Sequence, residues 1–293
     1  METFANTEAP NPGIRDLDTM DTNALVSVLV KEQLMAQLAV ERVMPRIGRA
    51  IDLIVGQVRR GGSLHYVGAG TSGRLAMLDA VECPPTFGTP PAMVVAHIAG
   101  GADALVRAVE GAEDDAAAGE QEFREVDARD VVVAISASGE APYVVAAVRA
   151  AKARGAPTIA ITSVAASSLG RIAGLPIAIA TGSEALAGST RLKAGTAQKL
   201  VLNTISTGVM VKLGRVYDNL MVDVVATNEK LRRRALALVR RLTDLDAPAA
   251  AALLAEAGGS VKVAVVMARR NAGAGEARVL LEKAGGFLRG ALE

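Results

Sequence analysis

The chain has no tryptophan, only four phenylalanines and three tyrosines, two histidines and a single cysteine, Cys83. One cysteine excludes an intrachain disulfide framework and a cysteine-built metal centre. His65 and His97 are too few for a multi-histidine centre, so no metal is expected. With so little aromatic mass, the core must be built from Ala, Val, Leu and Ile. At 51% apolar over 293 residues there is enough of it for one large domain, or one with a small appendage. No charge sign dominates: the net charge is +1, acids and bases are interspersed, and there is no basic stripe of the kind that binds nucleic acid. No apolar run reaches the 18 residues of a membrane span. The opening METFANTEAPNPGIRDLDTM lacks the basic-then-apolar pattern of a secretory leader. These absences predict a reducing, cytoplasmic setting without nucleic-acid or membrane partners.

What is present is an alternation. Residues 1–60 read as an extended arm carrying Pro10, Pro12 and Gly13, followed by helix over 21–60 with Leu34, Leu38, Val43, Ile47, Ile51 and Val55 near helical spacing. From residue 61, five short apolar segments (63–67, 93–98, 131–135, 158–161 and 176–180) alternate with helix-like stretches at 72–81, 103–120, 142–154 and 167–173. Short, fully apolar strands between helices predict a doubly wound α/β domain, a five-stranded parallel sheet covered on both faces. That domain is drawn over 61–241 and ends in helices at 193–213 and 226–241. The basic run in the second of these reads as a solvated face. Residues 242–293 break at Gly258-Gly259, Gly273–Gly275 and Gly285-Gly286, which predicts a small domain of three short helices.

Two strand-to-helix loops carry the chemistry. Gly68-Ala69-Gly70-Thr71-Ser72-Gly73 matches the G-x-G-x-x-G dinucleotide fingerprint in its proper context. The second strand segment, MVVAHIAGG, nevertheless ends without the acid that holds a ribose. The hydroxyls of Thr71 and Ser72 at a helix N-terminus suit a compact phosphate better, because they add donors to free N–H groups and to the positive end of the helix dipole. Ser136-Ala137-Ser138-Gly139 follows the third strand in the same way, with Pro142 in the first turn of the next helix. Read singly, either loop could be an ordinary tight turn with serine as N-cap. Two such loops at the carboxyl ends of parallel strands lie where open α/β sheets bind ligands.

The loops YVGAGTSGR (66–74) and AISASGEAPYV (134–144) resemble those of sugar isomerase (SIS) domains. With LDAVECPPTFGT (78–89), HIAGG (97–101), AVEGAEDD (108–115), GSTRLKAGTAQKLVLNTISTG (188–208) and NLMVDVVATNEKLRRRA (219–235), the chain resembles the N-acetylmuramic acid 6-phosphate etherase family over most of its length. Val81 stands where that family has a small polar residue, and Glu140 where a basic or polar one is frequent.

The resemblance implies an enzyme that converts N-acetylmuramic acid 6-phosphate and water to N-acetylglucosamine 6-phosphate and D-lactate without cofactor or metal. It also implies a homodimer with sites near the subunit interface. An ether is a poor leaving group, so elimination from the open-chain aldehyde followed by water addition is the easier route. Such a route uses two carboxyl groups in different protonation states. By resemblance these are Glu82, the acid that releases lactate, and Glu113, which moves the C2 proton. The apolar stretch before Glu82 would favour its protonated form, and Pro84-Pro85 would end its helix. Read alone, Glu82 is a helix-end carboxylate and Glu113 a first-turn acid complementing a dipole. Gly70, Thr71, Ser72, Ser136, Ser138 and Gly139 are the expected phosphosugar contacts; Ser189, Arg191 and Lys193 are candidates for the sugar or the lactyl carboxylate. Cys83 reads as packing, and His65 and His97 as core or strand-end residues. The competing readings are a phosphosugar-sensing regulator, an aldose–ketose isomerase and, last, a dehydrogenase. Sensing would require neither glutamate.

Overall fold

The computed structural model describes residues 7–226 and 228–293, so residues 1–6 of the expected arm lie outside it. The chain forms two compact units. One holds the chain up to Ala80 together with Ala92–Ser206; the other holds Val81–Pro91 and Thr207–Glu293.

The first unit opens with α1 (Thr22–Glu41), whose N-cap Asp21 accepts from the amides of Asn23 and Ala24. The helical stretch expected over 21–60 is interrupted at Arg42 and Val43, and α2 (Met44–Arg59) restarts with Pro45 in its first turn. Then follow β1 (Leu64–Gly68), α3 (Gly70–Phe87), β2 (Val94–Ile98), α4 (Asp103–Val106), a 3-10 turn (Ala112–Asp114), α5 (Ala116–Phe123) and β3 (Val131–Ile135). α6 (Pro142–Ala153), β4 (Thr158–Thr162), α7 (Ser168–Ile172), β5 (Leu175–Ala178) and α8 (Lys193–Lys212) come next. The chain passes from one unit to the other within α3, at Pro91–Ala92 and within α8.

All strand pairs are parallel, in the order β2-β1-β3-β4-β5. Every residue of β3 and β4 is buried, as a sheet covered on both faces requires. The doubly wound α/β architecture read from the sequence is the one observed. Winding reverses at β1, whose neighbours are β2 and β3. The carboxyl ends of β1 and β3 therefore flank the switch point where such sheets bind ligands.

Two local readings are corrected. The helix expected over 103–120 is broken into α4, the 3-10 turn and α5, with Gly111 at φ 71° before the turn. Glu113 thus lies in that turn rather than in an α-helix. The Pro84-Pro85 pair does not end α3, which continues to Phe87. The two missing N–H groups instead leave the carbonyls of Ala80 and Val81 without their i+4 donors.

The second unit contains α9 (Glu229–Thr243), α10 (Ala247–Glu256), α11 (Val261–Arg270), α12 (Ala274–Lys283) and α13 (Leu288–Leu292). After residue 242 there are four helices where three were expected. α11 is the centre of this unit, with Val261 through Met267 all buried. Within it Lys262 reaches the Asp223 carboxylate at 2.6 Å and the Gly286 carbonyl at 2.8 Å. Among the described residues no single helix is long and apolar enough to cross a membrane.

Candidate active site

A cavity of about 450 Å³ lies in the first unit, lined by the loop after β1 (Ala69–Ser72) and the loop after β3 (Ile135–Ser138 and Glu140–Pro142). Glu113 and Asp114 of the 3-10 turn, Gly188, Thr190 and Glu8 complete its lining.

The β1 loop is built by two glycines in contact with each other. A Cβ on Gly68 would lie 2.7 Å from the Gly73 nitrogen, and one on Gly73 would lie 2.5 Å from Ile98 Cγ1 and 2.8 Å from the Gly68 carbonyl. Their lack of side chains lets the first turn of α3 sit directly on the end of β1. Gly70 takes a positive φ of 53°, and no atom lies within 4 Å of where its Cβ would be. The first-turn N–H groups of α3 have no helical acceptors. They point, with the dipole, at the cavity bordered by Thr71 and Ser72. Ser72 is buried and donates to Gln198 Oε1 of α8 at 3.0 Å, which fixes its rotamer.

The β3 loop folds around its own serines. Ser136 Oγ accepts from the Gly139 amide at 3.0 Å and Ser138 Oγ from the Glu140 amide at 3.2 Å. A hydroxyl that accepts from the backbone keeps its own proton to donate, and the two hydroxyls lie 3.5 Å apart, so one can donate to the other and the second to a ligand. Gly139 does not line the cavity but permits the turn. Its φ is 72°, and a Cβ there would lie 2.3 Å from Ser167 Oγ. The Glu140 carboxylate is engaged by the amide and hydroxyl of Ser168, at 2.8 and 2.6 Å, and so caps α7.

Among the described lining residues there is no lysine or arginine, and Glu8, Glu113, Asp114 and Glu140 are acidic. A phosphate here would be held by hydroxyls, amides and two helix dipoles.

Other candidates fall elsewhere. Lys193 is buried, and its ammonium lies 2.6 Å from Glu32 of α1; its amide and that of Ala194 donate to Glu184. It pins α8 to α1 instead of facing the cavity. Ser189 is half-buried between Gly188 and Thr190, which do line the cavity, and Arg191 is exposed. Glu82 belongs to the second unit and is exposed on α3, so the apolar enclosure expected for it is not made by the described residues. Cys83 is buried, as packing requires. Sequence reasoning missed Gln198, Thr190 and Glu8. Nothing local marks them, because each acquires its place through contacts far along the chain, as when the Gly188 amide donates to the Thr7 carbonyl.

A five-stranded parallel sheet with hydroxyl-rich glycine loops at the carboxyl ends of two adjacent strands is the arrangement of the SIS fold. Residues 108–207 match the SIS domain, and residues 46–152 match the glucokinase regulatory protein N-terminal SIS domain. A phosphoheptose isomerase from Francisella tularensis shares the fold with a TM-score of 0.53 at 18% identity, covering 66% of this chain and 100% of that one. N-acetylmuramic acid 6-phosphate etherase from Deinococcus radiodurans is 50% identical over 97% of this chain and 93% of its own length. The enzyme of that name from Serratia proteamaculans is 50% identical over 97% of each. The chain belongs to the N-acetylmuramic acid 6-phosphate etherase family.

Proposed function

We propose that this protein is a carbon–oxygen lyase that cleaves the D-lactyl ether of N-acetylmuramic acid 6-phosphate in cell-wall amino sugar recycling. The observation that carries the reading is one cavity holding both hydroxyl-bearing glycine loops and the Glu113 carboxylate. Thr71, Ser136 and Ser138 through their hydroxyls and Ser72 through its backbone N–H, on the turns made by Gly70 and Gly139, hold the 6-phosphate. With the sugar open, the aldehyde at C1 acidifies the C2 hydrogen. Glu113 takes that proton while Glu82 gives its own to the ether oxygen; the C3–O bond breaks, D-lactate leaves, and the electron pair of the C2–H bond forms a C2–C3 double bond. The Glu82 carboxylate then draws a proton from water as the water oxygen bonds to C3. C2 regains a proton, and the product is N-acetylglucosamine 6-phosphate. Ser189 and Lys193 do not line this cavity.

We place the enzyme in the cytoplasm, where a charged phosphosugar is retained, and as a homodimer. Val26, Val30 and Leu34 are exposed by 53%, 59% and 60% at four-residue spacing on α1. That apolar stripe is one a second copy would cover.

The test is D-lactate release in deuterated water by the parent, Glu82→Gln and Glu113→Gln. Lactate from the parent, deuterium at C2 of the product, and a loss of at least about a hundredfold in each variant are expected. A folded parent that binds the phosphosugar and releases no lactate refutes the reading.

A further inference from the structure

Beside the catalytic cavity lies a second one, about 470 Å³ in volume, whose lining includes Gly111, Ala112, Glu122 and Tyr143. The two share a wall. Ala112 faces the second cavity while Glu113 and Asp114 face the first, and Pro142 faces the first while Tyr143 faces the second. The wall is therefore the 3-10 turn that carries Glu113, packed against the start of α6, the helix that follows the Ser136–Gly139 loop.

A chain of polar side chains braces this wall. The Tyr143 hydroxyl donates to Glu122 Oε2 across α6 and α5. Glu122 Oε1 lies 2.7 Å from His97 Nδ1 on β2, and His97 Nε2 lies 3.0 Å from His65 Nδ1 on β1. His65 Nε2 ends the chain 3.6 Å from Asp130. Phe123 sets its ring edge-on to His97, at 4.7 Å between centroids. The backbones of α5 and α6 are in direct contact at the same level, since a Cβ on Gly119 would lie 2.1 Å from the Tyr143 carbonyl oxygen.

The proton inventory gives the chain one direction. Tyr143 can only donate to the carboxylate, so Glu122 accepts from both Tyr143 and His97 Nδ1–H. In a neutral His97 the second ring nitrogen, Nε2, carries no proton and accepts from His65 Nδ1–H. Each bond specifies the next, and together they fix α5, α6 and the end of β2 against one another. Since α5 begins three residues after Glu113, this brace sets where that carboxylate stands relative to the phosphate loops.

We infer that Tyr143, Glu122 and His97 are positioning residues for Glu113, holding the turn at residues 112–114 in register with the phosphate-binding loop. This rests on the reading of Glu113 as the group that moves the C2 proton. The Tyr143→Phe variant removes one hydroxyl and leaves the packed ring. It is expected to lower kcat for lactate release about tenfold while KM changes less than about twofold, because a small misplacement of a base costs rate more than binding. It should also raise the isotope effect from a C2-deuterated substrate, as proton removal becomes more rate-limiting. His97→Asn keeps a donor for Glu122 and should stay within about threefold of the parent; His97→Leu should lose about as much as Tyr143→Phe. Glu113→Gln is run alongside. If it abolishes C2 exchange while a folded Tyr143→Phe keeps the parent's kcat and isotope effect, the inference is overturned and the Glu113 reading stands. If Glu113→Gln still exchanges the C2 hydrogen, both fall.

Discussion

Asp79 is the polar hub of the first unit and was not singled out by sequence. It is buried on α3, and its carboxylate accepts from the Tyr66 hydroxyl at 3.0 Å, Asn203 Nδ2 at 2.6 Å and Ser206 Oγ at 3.0 Å. It thus ties β1 and α8 to the helix that begins at the phosphate loop. Asp79→Ala removes the acceptor shared by Tyr66, Asn203 and Ser206 and is expected to destabilise the fold by ~3 kcal/mol, measured by urea unfolding. Gly139 makes a second prediction at this scale. Gly139→Ala would strain a left-handed backbone and press on Ser167, which caps α7 through the Gly170 amide. Tilting the Ser136 and Ser138 hydroxyls should weaken binding of the substrate, and of inorganic phosphate as competitor, by about tenfold. Competition kinetics would check this, and unchanged phosphate inhibition would remove the β3 loop from the phosphate site.

Among the elements, α11 and α1 behave in opposite ways. α11 is buried along most of its length and carries a buried charge, Lys262, which burial pushes to a lowered pKa against the opposing pull of Asp223. Asp223 also meets Arg215 at 3.4 Å. Removing the shared carboxylate strands both cations, so Asp223→Ala should cost ~3–5 kcal/mol. Lys262→Met, which replaces a buried ammonium with an apolar chain of similar length, should cost less. The order of the two melting temperatures decides the point. α1 instead leaves its stripe of Val26, Val30 and Leu34 in solvent. If a second copy covers it, Leu34→Glu should yield a monomer by light scattering; a parent that is itself monomeric would refute the homodimer.

For the whole molecule, the brace through the two histidines predicts how stability follows pH. Burial lowers the His65 pKa from its ordinary 6.5, electrostatic repulsion between the two rings when both carry protons lowers it further, and Asp130 opposes both. The hydrogen bond from His97 lowers the Glu122 pKa from 4.5, helped by the Tyr143 hydroxyl and opposed by burial. Both shifts act in one direction. A depressed histidine favours its neutral form in the fold, so its contribution is present above pH 6.5 and declines as pH falls toward its folded value. A depressed glutamate contributes above pH 4.5 and loses that contribution as pH falls through its folded value. The melting temperature is therefore expected to fall in two stages on acidification, beginning near pH 6.5. His65→Asn should flatten the upper stage and leave the lower one. A parent whose melting temperature is level down to pH 4.5 would contradict this.

Much of the protein is determined locally. Five apolar segments separated by helices specify a covered parallel sheet, because the period and length of apolar runs decide what each segment can bury. The two glycine loops are legible for the same reason: only glycine permits the contact between Gly68 and Gly73 and the positive φ at Gly139. The family likeness then points to Glu82 and Glu113. Other features depend on residues far apart in the chain. Strand order brings the loops after β1 and β3 side by side. Gln198 meets Ser72 across 126 residues, and Lys193 is drawn from the candidate site to Glu32 across 161. The continuation of α3 through Pro84-Pro85 and the break at Gly111 likewise override local helix signals. A residue's type sets which bonds it can make, but the partner it makes them with is decided by packing, and only the tertiary structure supplies that.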